Sequence, residues 1–215
     1  MKIYLMRHGE TDYNKKGLIQ GRLDIPLNEN GIHLAELTRD GFRREGLTFD
    51  AAYCSPLIRA RKTADILLEG TDTPIYYDDR ICEMNFGEGE GVLLSDISVK
   101  PELKNIDYLF HDPKRYRATE KGESYEAMFA RVENFLNQEL APKEALYDNV
   151  LVCAHGGIIR AFLAFLKKLD LDQFWNNHQP NCSVNILKLQ DGSLKILEEH
   201  KIYYELPEEK KGAIL

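Results

Sequence analysis

Short apolar runs of strand character alternate with longer helical segments along this chain, and that alternation restricts its folds more than any other feature. Lys2 to Met6 reads as a strand, Gly31 to Glu45 as a helix after the turn-rich PLNENG, and Asp50 to Cys54 as a second strand. The segment SPLIRARKTADILLEG, 55–70, reads as a helix with Ser55 as N-cap, Pro56 as first helical residue and Gly70 as the stop. Ile75 to Tyr77 fits a short strand, Ser124 to Leu140 a helix, Asn149 to Ala154 a buried strand and Ile158 to Leu169 a helix. Ser183 to Leu189 and Leu194 to Glu199 read as a hairpin turning at QDGS. The pattern predicts an α/β fold, a three-layer α/β/α sandwich with a mostly parallel central sheet.

No repeat or interdomain linker interrupts the 215 residues, which read as a single domain, 1–215. Arg80 to Lys121 is rich in Gly, Asp and Pro with weak periodicity, and is expected to be loop-dominated, with a lid-like insertion over about 84–121. The final LPEEKKGAIL is expected to be a surface tail. A net charge of -7 disfavours a nucleic-acid partner while leaving room for a local cationic pocket. No targeting segment is read at the start, and the apolar stretch Ile158 to Leu166 is interrupted by Arg160 and too short to span a bilayer. Cys54, Cys82, Cys153 and Cys182 lack CxxC spacing and read as reduced, buried thiols, so a cytoplasmic location is expected and no membrane partner.

The chemistry concentrates at strand ends. YLMRHGE puts His8 and Gly9 just past one strand, and LVCAHGG puts His155 and Gly156 just past another. In a parallel sheet the two imidazoles meet at one carboxyl edge, where ligands of such folds bind. Arg59, early in the helix that follows a third strand, leans back over the same edge, because helical side chains tilt toward the N-terminus. Arg7, Arg59, His8 and His155 then form a cluster of donors and positive charge suited to a tetrahedral dianion, since arginine forks match phosphate oxygens.

Six ordered stretches, RHGETDYN at 7–14, GRLDIPLNENG at 21–31, CSPLIRARKTA at 54–64, CEMNFGEGEG at 82–91, GES at 122–124 and VCAHGGIIRAFL at 152–163, resemble the histidine phosphatase superfamily, also called phosphoglycerate mutase-like. The resemblance implies His8 as the nucleophile that becomes a phosphohistidine, and Arg7, Arg59 and His155 as ligands of the phosphoryl oxygens. It implies that Asn14, Gln20, Gly21 and the backbone at Gly156 assist in substrate binding. Glu83 would protonate the leaving oxygen and then activate water. No metal and no cofactor is implied. A neutral imidazole is a competent nucleophile near neutral pH, and the adjacent arginines disfavour its protonated form.

Three alternatives are weighed. His8, His155 and Glu83 could instead ligate iron or zinc, but two arginines in the same pocket would repel a cation. A non-catalytic phospho-ligand binding module is disfavoured by His8, Glu83 and His155 occurring together. A phosphoglycerate mutase shares the core, but EMNFGEGEG, 83–91, follows the phosphatase pattern, with Gly89 where that pattern usually has tryptophan. The reading is therefore a metal-independent histidine acid phosphatase-type phosphomonoesterase acting on a small phosphorylated metabolite such as a sugar, nucleotide or cofactor-precursor phosphate. Basic and aromatic residues of 92–121 are expected to be mostly solvated, with one or two facing the substrate. Arg61 and Lys62 read as a solvated helix face, His33, His111, His178 and His200 as structural or exposed, and Phe174, Trp175 and Cys153 as packing. Oligomeric state is left open, a homodimer paired through the C-terminal strand being one arrangement.

Overall fold

The computed structural model describes residues 1–205; the tail LPEEKKGAIL lies outside the described residues. One six-stranded sheet runs through the molecule in the order β3-β2-β4-β1-β5-β6. Its strands are β1 (Lys2–Arg7), β2 (Ala51–Cys54), β3 (Ile75–Tyr77), β4 (Asn149–Ala154), β5 (Val184–Gln190) and β6 (Ser193–Lys201). The pairings β1 with β4, β4 with β2 and β2 with β3 are parallel, whereas β5 and β6 add antiparallel. The mostly parallel sheet expected from the alternation is therefore present, and the hairpin turns at Asp191 and Gly192, both at positive φ.

Alternation within β1 divides its side chains between two cores, because successive strand residues face opposite sides. Ile3 and Leu5 join Val150, Val152 and Leu187 under α5 (Tyr125–Phe135) and α6 (Gly156–Lys167). Tyr4 and Met6 join Leu151 and Cys153 under α2 (Glu29–Arg44) and α3 (Ile58–Leu67). The sheet is thus the middle of three layers, and each fully buried Leu or Ile contributes about 1.5–3 kcal/mol. All four cysteines are free and buried. Among the described residues no helix is long and apolar enough to cross a membrane.

Several boundaries differ from expectation. A short helix α1 (Asp12–Lys16), capped by Thr11, was not anticipated, and α2 begins two residues earlier, at Glu29 behind the Asn28 cap. The third helix does not begin at Ser55: it starts at Ile58, whose N–H is accepted by Asp24 Oδ1 at 2.7 Å, a cap from a distant loop. α6 begins at Gly156 rather than Ile158, with His155 itself as the N-cap. The segment 80–121 is less loop-like than expected. It contains α4 (Lys104–His111), and Ile97, Ile106 and Leu109 are buried in the core, while Asp107 ties Ser98, Lys104 and His111 together. Weak periodicity hid this helix because it is only eight residues long.

Candidate active site

Strand pairing delivers the two histidines. His8 follows β1 and its N–H is held by the Ala154 carbonyl of β4 at 3.1 Å, so the ends of both strands are locked in register. The His8 and His155 rings then lie 5.1 Å apart between centroids, inclined at 58°. Both side chains are buried. His8 Nδ1 lies 2.7 Å from the Gly9 carbonyl, which can only accept; Nδ1 therefore carries the proton and Nε2 keeps its lone pair. Burial first, then Arg59 and Arg7, hold the His8 imidazole well below its ordinary pKa, as the adjacent arginines led one to expect. The same causes, with His8 added, act on His155.

The arginines are anchored by backbone carbonyls. Arg59 donates from Nη1 to Leu23 at 2.7 Å and from Nη2 to Gly21 at 2.6 Å, and burial pulls its guanidinium down to about 10. Arg7 donates from Nη1 to the carbonyl of Gln179 at 2.5 Å. Both keep a buried Nε without an acceptor, and His155 Nδ1 is likewise buried and unpartnered. A buried polar atom without a partner is costly, and the two guanidiniums, whose charges both act on His8, suit an anion.

Glu83 is held against the first turn of α6. Its carboxylate accepts from the Met84 N–H at 2.9 Å and from the Gly157 N–H at 3.1 Å. Its own carbonyl takes Arg22 and Arg131, each at 3.3 Å. Asn14 is anchored through Oδ1, which accepts from the Thr11 N–H at 3.2 Å and from Asn181 at 3.3 Å. Gln20 is turned toward Thr11, whose hydroxyl donates to Gln20 Oε1 at 2.9 Å, and Gly21 serves through its carbonyl on Arg59. Of these two, Gly21 is the one in contact with the arginine clamp. Gly156 leaves its space open where a Cβ would stand 2.9 Å from Arg160 Nη1 and 3.7 Å from Arg7 Nε.

Three residues of this neighbourhood escaped the sequence reading. Ser55 caps no helix; its hydroxyl lies 2.7 Å from His155 Nε2. Gln179, fully buried, presents the carbonyl that orients Arg7. Arg160, set aside as a mere interruption of an apolar run, reaches the pocket from α6 with an unpartnered buried Nε. A signal existed only for the last, a lone arginine in an otherwise apolar helix four residues after Gly156.

Gly89 resolves simply: a Cβ there would lie 2.9 Å from Ile106 Cγ2, so Ile106 of α4 occupies space next to this loop. Five cations of the insertion are engaged by protein groups. Lys100 pairs with Asp96 at 2.8 Å, Lys104 with Asp107 at 3.0 Å, and Lys114 with Asp172. Arg115 stacks on Tyr108 with 4.1 Å to the ring centroid, and Arg117 donates to the carbonyls of Lys114 and Tyr116, each at 2.8 Å. His200 bonds Asn177 at 2.6 Å and His111 bonds Asp107 at 2.8 Å, both structural as expected. Among the described residues no group of three or more His, Cys, Asp or Glu is placed to hold a metal ion.

Known proteins resemble this chain over most of its length. The chain is 31% identical over 199 residues to phosphoserine phosphatase 1 of Hydrogenobacter thermophilus, covering 92% of this chain and 91% of the relative. It is 29% identical over 232 residues to a 2,3-bisphosphoglycerate-dependent phosphoglycerate mutase of Lactococcus lactis subsp. cremoris, covering 96% and 98%. The crystal structure of the alpha-ribazole phosphatase from Shigella flexneri superposes with a TM-score of 0.81 at 25% identity, over 94% of this chain and 96% of that one. The model of the histidine phosphatase superfamily (branch 1) matches residues 3–200, and the chain belongs to that superfamily.

Proposed function

We propose that the protein is a phosphomonoesterase that hydrolyses a small phosphorylated metabolite through a phosphohistidine on His8, without a metal ion. The observation that carries the reading is that Arg7 Nε, Arg59 Nε and His155 Nδ1 are buried and unpartnered, while both arginine charges act on a histidine whose Nε2 lone pair is left free.

In the first displacement Nε2 of His8 bonds phosphorus, and the bond from phosphorus to the substrate oxygen breaks. That oxygen takes the electron pair and a proton from Glu83, and the alcohol leaves. In the second, water gives its proton to Glu83 and bonds phosphorus, the N–P bond returns its pair to Nε2, and inorganic phosphate leaves. Catalysis is mainly positioning and charge stabilisation of the equatorial oxygens, which fixed guanidiniums supply without reorganisation. The contact of His155 Nε2 with the Ser55 hydroxyl leaves Nδ1 to face the phosphoryl group. The insertion over 84–121 covers the pocket in this reading, and the pairing of Lys100, Lys104 and Lys114 with aspartates favours hydrolysis over the mutase reaction, in which the phosphoglycerate must be retained for re-phosphorylation.

A phosphomonoester screen of wild type beside His8→Ala tests the proposal, with EDTA in one arm. Hydrolysis that survives EDTA, and a trapped phosphoenzyme present in wild type and absent in His8→Ala, are expected. Loss of turnover on chelation with restoration by metal, or isomerisation of 3-phosphoglycerate with little hydrolysis, would overturn it.

A further inference from the structure

Glu83 stands on a different kind of support from the two histidines. His8 and His155 follow strands whose ladder fixes them, whereas Glu83, Met84 and Asn85 belong to no helix or strand and come after the 3₁₀ turn Asp79–Ile81. Carbonyls of such a stretch have no ladder to satisfy them and need another donor. Arg131, on the second turn of α5, is that donor. Its Nη1 donates to the Arg80 carbonyl at 2.6 Å and to the Cys82 carbonyl at 2.7 Å, and its Nη2 donates to the Glu83 carbonyl at 3.3 Å.

Glu123 takes the other edge of the guanidinium. Arg131 Nε donates to Oε1 at 2.6 Å and Nη2 to Oε2 at 2.9 Å, a two-pronged pair in which both side chains are largely buried. Glu123 also reaches beyond Glu83 along the chain: its N–H donates to the Asn85 carbonyl at 2.8 Å, and its Oε2 accepts from the Asn85 N–H at 3.2 Å. The backbone on both sides of Glu83 is thereby tied to one ion pair at the start of α5. That helix is itself capped by Ser124, whose hydroxyl accepts from the Ala127 N–H at 3.1 Å.

The donors of Arg131 decide what it is for. Every N–H of this guanidinium is occupied, one at Nε and two at each Nη. Arg7 and Arg59, by contrast, each keep a buried Nε without an acceptor. Arg131 therefore has no donor left for a phosphoryl oxygen, although its charge acts on His155. The Glu83 carboxylate is held at the Met84 N–H and the Gly157 N–H, and both bonds depend on where the backbone of residue 83 lies.

We infer that Arg131 and Glu123 are the positioning residues for Glu83, fixing the backbone from which its carboxyl group delivers a proton to the leaving oxygen. The inference rests on the phosphomonoesterase reading, in which that proton passes to the ester oxygen as its bond to phosphorus breaks. It gives the GES stretch at 122–124 a part in the chemistry: Glu123 holds the guanidinium, and Ser124 starts the helix that carries it. Removing the guanidinium leaves the Arg80 and Cys82 carbonyls without this donor and the Glu123 carboxylate without its cation. A displacement of about 1 Å at Glu83 is then enough to cost about 100-fold in proton delivery.

The test compares kcat/KM for phenyl phosphate and 4-nitrophenyl phosphate, esters of similar shape. Phenoxide needs a proton to leave, whereas nitrophenolate leaves without one. Glu83→Gln sets the reference, with an expected fall of about 100-fold or more on phenyl phosphate and a far smaller one on the nitrophenyl ester. Arg131→Gln and Glu123→Gln are expected to repeat that selectivity, losing about 10- to 100-fold on phenyl phosphate and less than about threefold on 4-nitrophenyl phosphate. Arg131→Lys, which keeps the charge and part of the donors, should recover some of the loss. Equal losses on the two esters in these variants, with Glu83→Gln selective, would reduce Arg131 and Glu123 to supports of the fold and overturn the inference. Wild-type rates on both esters would overturn it as well. Glu123→Gln replaces one oxygen by an amide nitrogen, so it decides the matter, beside a thermal melt, if Arg131→Gln does not fold. A Glu83→Gln variant that loses both esters alike, or a wild type that hydrolyses neither, would instead overturn the reading of Glu83 as the acid of a phosphatase, and the inference with it.

Discussion

Ser55 Oγ lies 2.7 Å from His155 Nε2, joining the end of β2 to the end of β4 across 100 residues of sequence. The bond holds the ring by Nε2 and leaves Nδ1 as its unpartnered nitrogen. Ser55→Ala removes that constraint and leaves Nε2 buried without a partner. A fall in kcat/KM of about 10- to 100-fold is expected, from about 1.5–3 kcal/mol of lost orientation and satisfaction. Steady-state kinetics beside a thermal melt check it; a variant as active as wild type would remove Ser55 from the positioning of His155.

Acid should act on both histidines in a defined direction. His8 and His155 have folded pKa values well below their ordinary 6.5, set by burial and the arginines. The unfolded chain therefore binds more protons than the folded one as pH falls below 6.5, and stability declines from there toward the folded pKa values. Thermal melts from pH 7.5 downward should show this loss, and it should be shallower in His8→Gln. Imidazole nitrogen shifts measured by NMR should report both rings neutral at pH 6; a ring titrating near 6.5 would contradict the structure.

Gly157 has a more local test. A Cβ there would stand 2.5 Å from Glu83 Oε1. The carboxylate is the end of a flexible side chain, so Gly157→Ala displaces it rather than the helix, and alanine favours helix over glycine by about 1 kcal/mol. A kcat reduced at least about 10-fold with little change in Tm is expected. Unaltered turnover would show that Glu83 does not need its present place.

The loop at Gly89 tests packing alone. Gly89→Trp should clash with Ile106 and cost about 1–3 kcal/mol, as overpacking does. Combining it with Ile106→Ala should recover part of the loss, a coupling that denaturant melts of the cycle measure. Additive effects in the double variant would mean that Ile106 does not fill that space.

The strands were legible because their signal is local. Apolar runs such as Asn149–Ala154 state their own burial, and parallel pairing then places whatever follows them, His8 and His155, at one edge. Arg59 was legible for the same reason, as an early residue of a helix entering behind a strand. Short α4 was not, because eight residues carry little period and its stability comes from Ile106 and Leu109 packing into a distant core.

By itself, then, the sequence determined the layered α/β fold, the edge where chemistry gathers, and the histidine and arginine types that gather there. Tertiary structure alone decided what polar groups do once assembled. Ser55 looked like a cap because caps are read from neighbours, yet its partner comes from β4 and the cap of α3 comes from Asp24. Arg160 looked like a break in an apolar helix until α6 docked beside β1 and brought its guanidinium against Arg7. Backbone periodicity depends on nearest residues, whereas a buried donor takes whatever acceptor, or ligand, long-range packing sets before it.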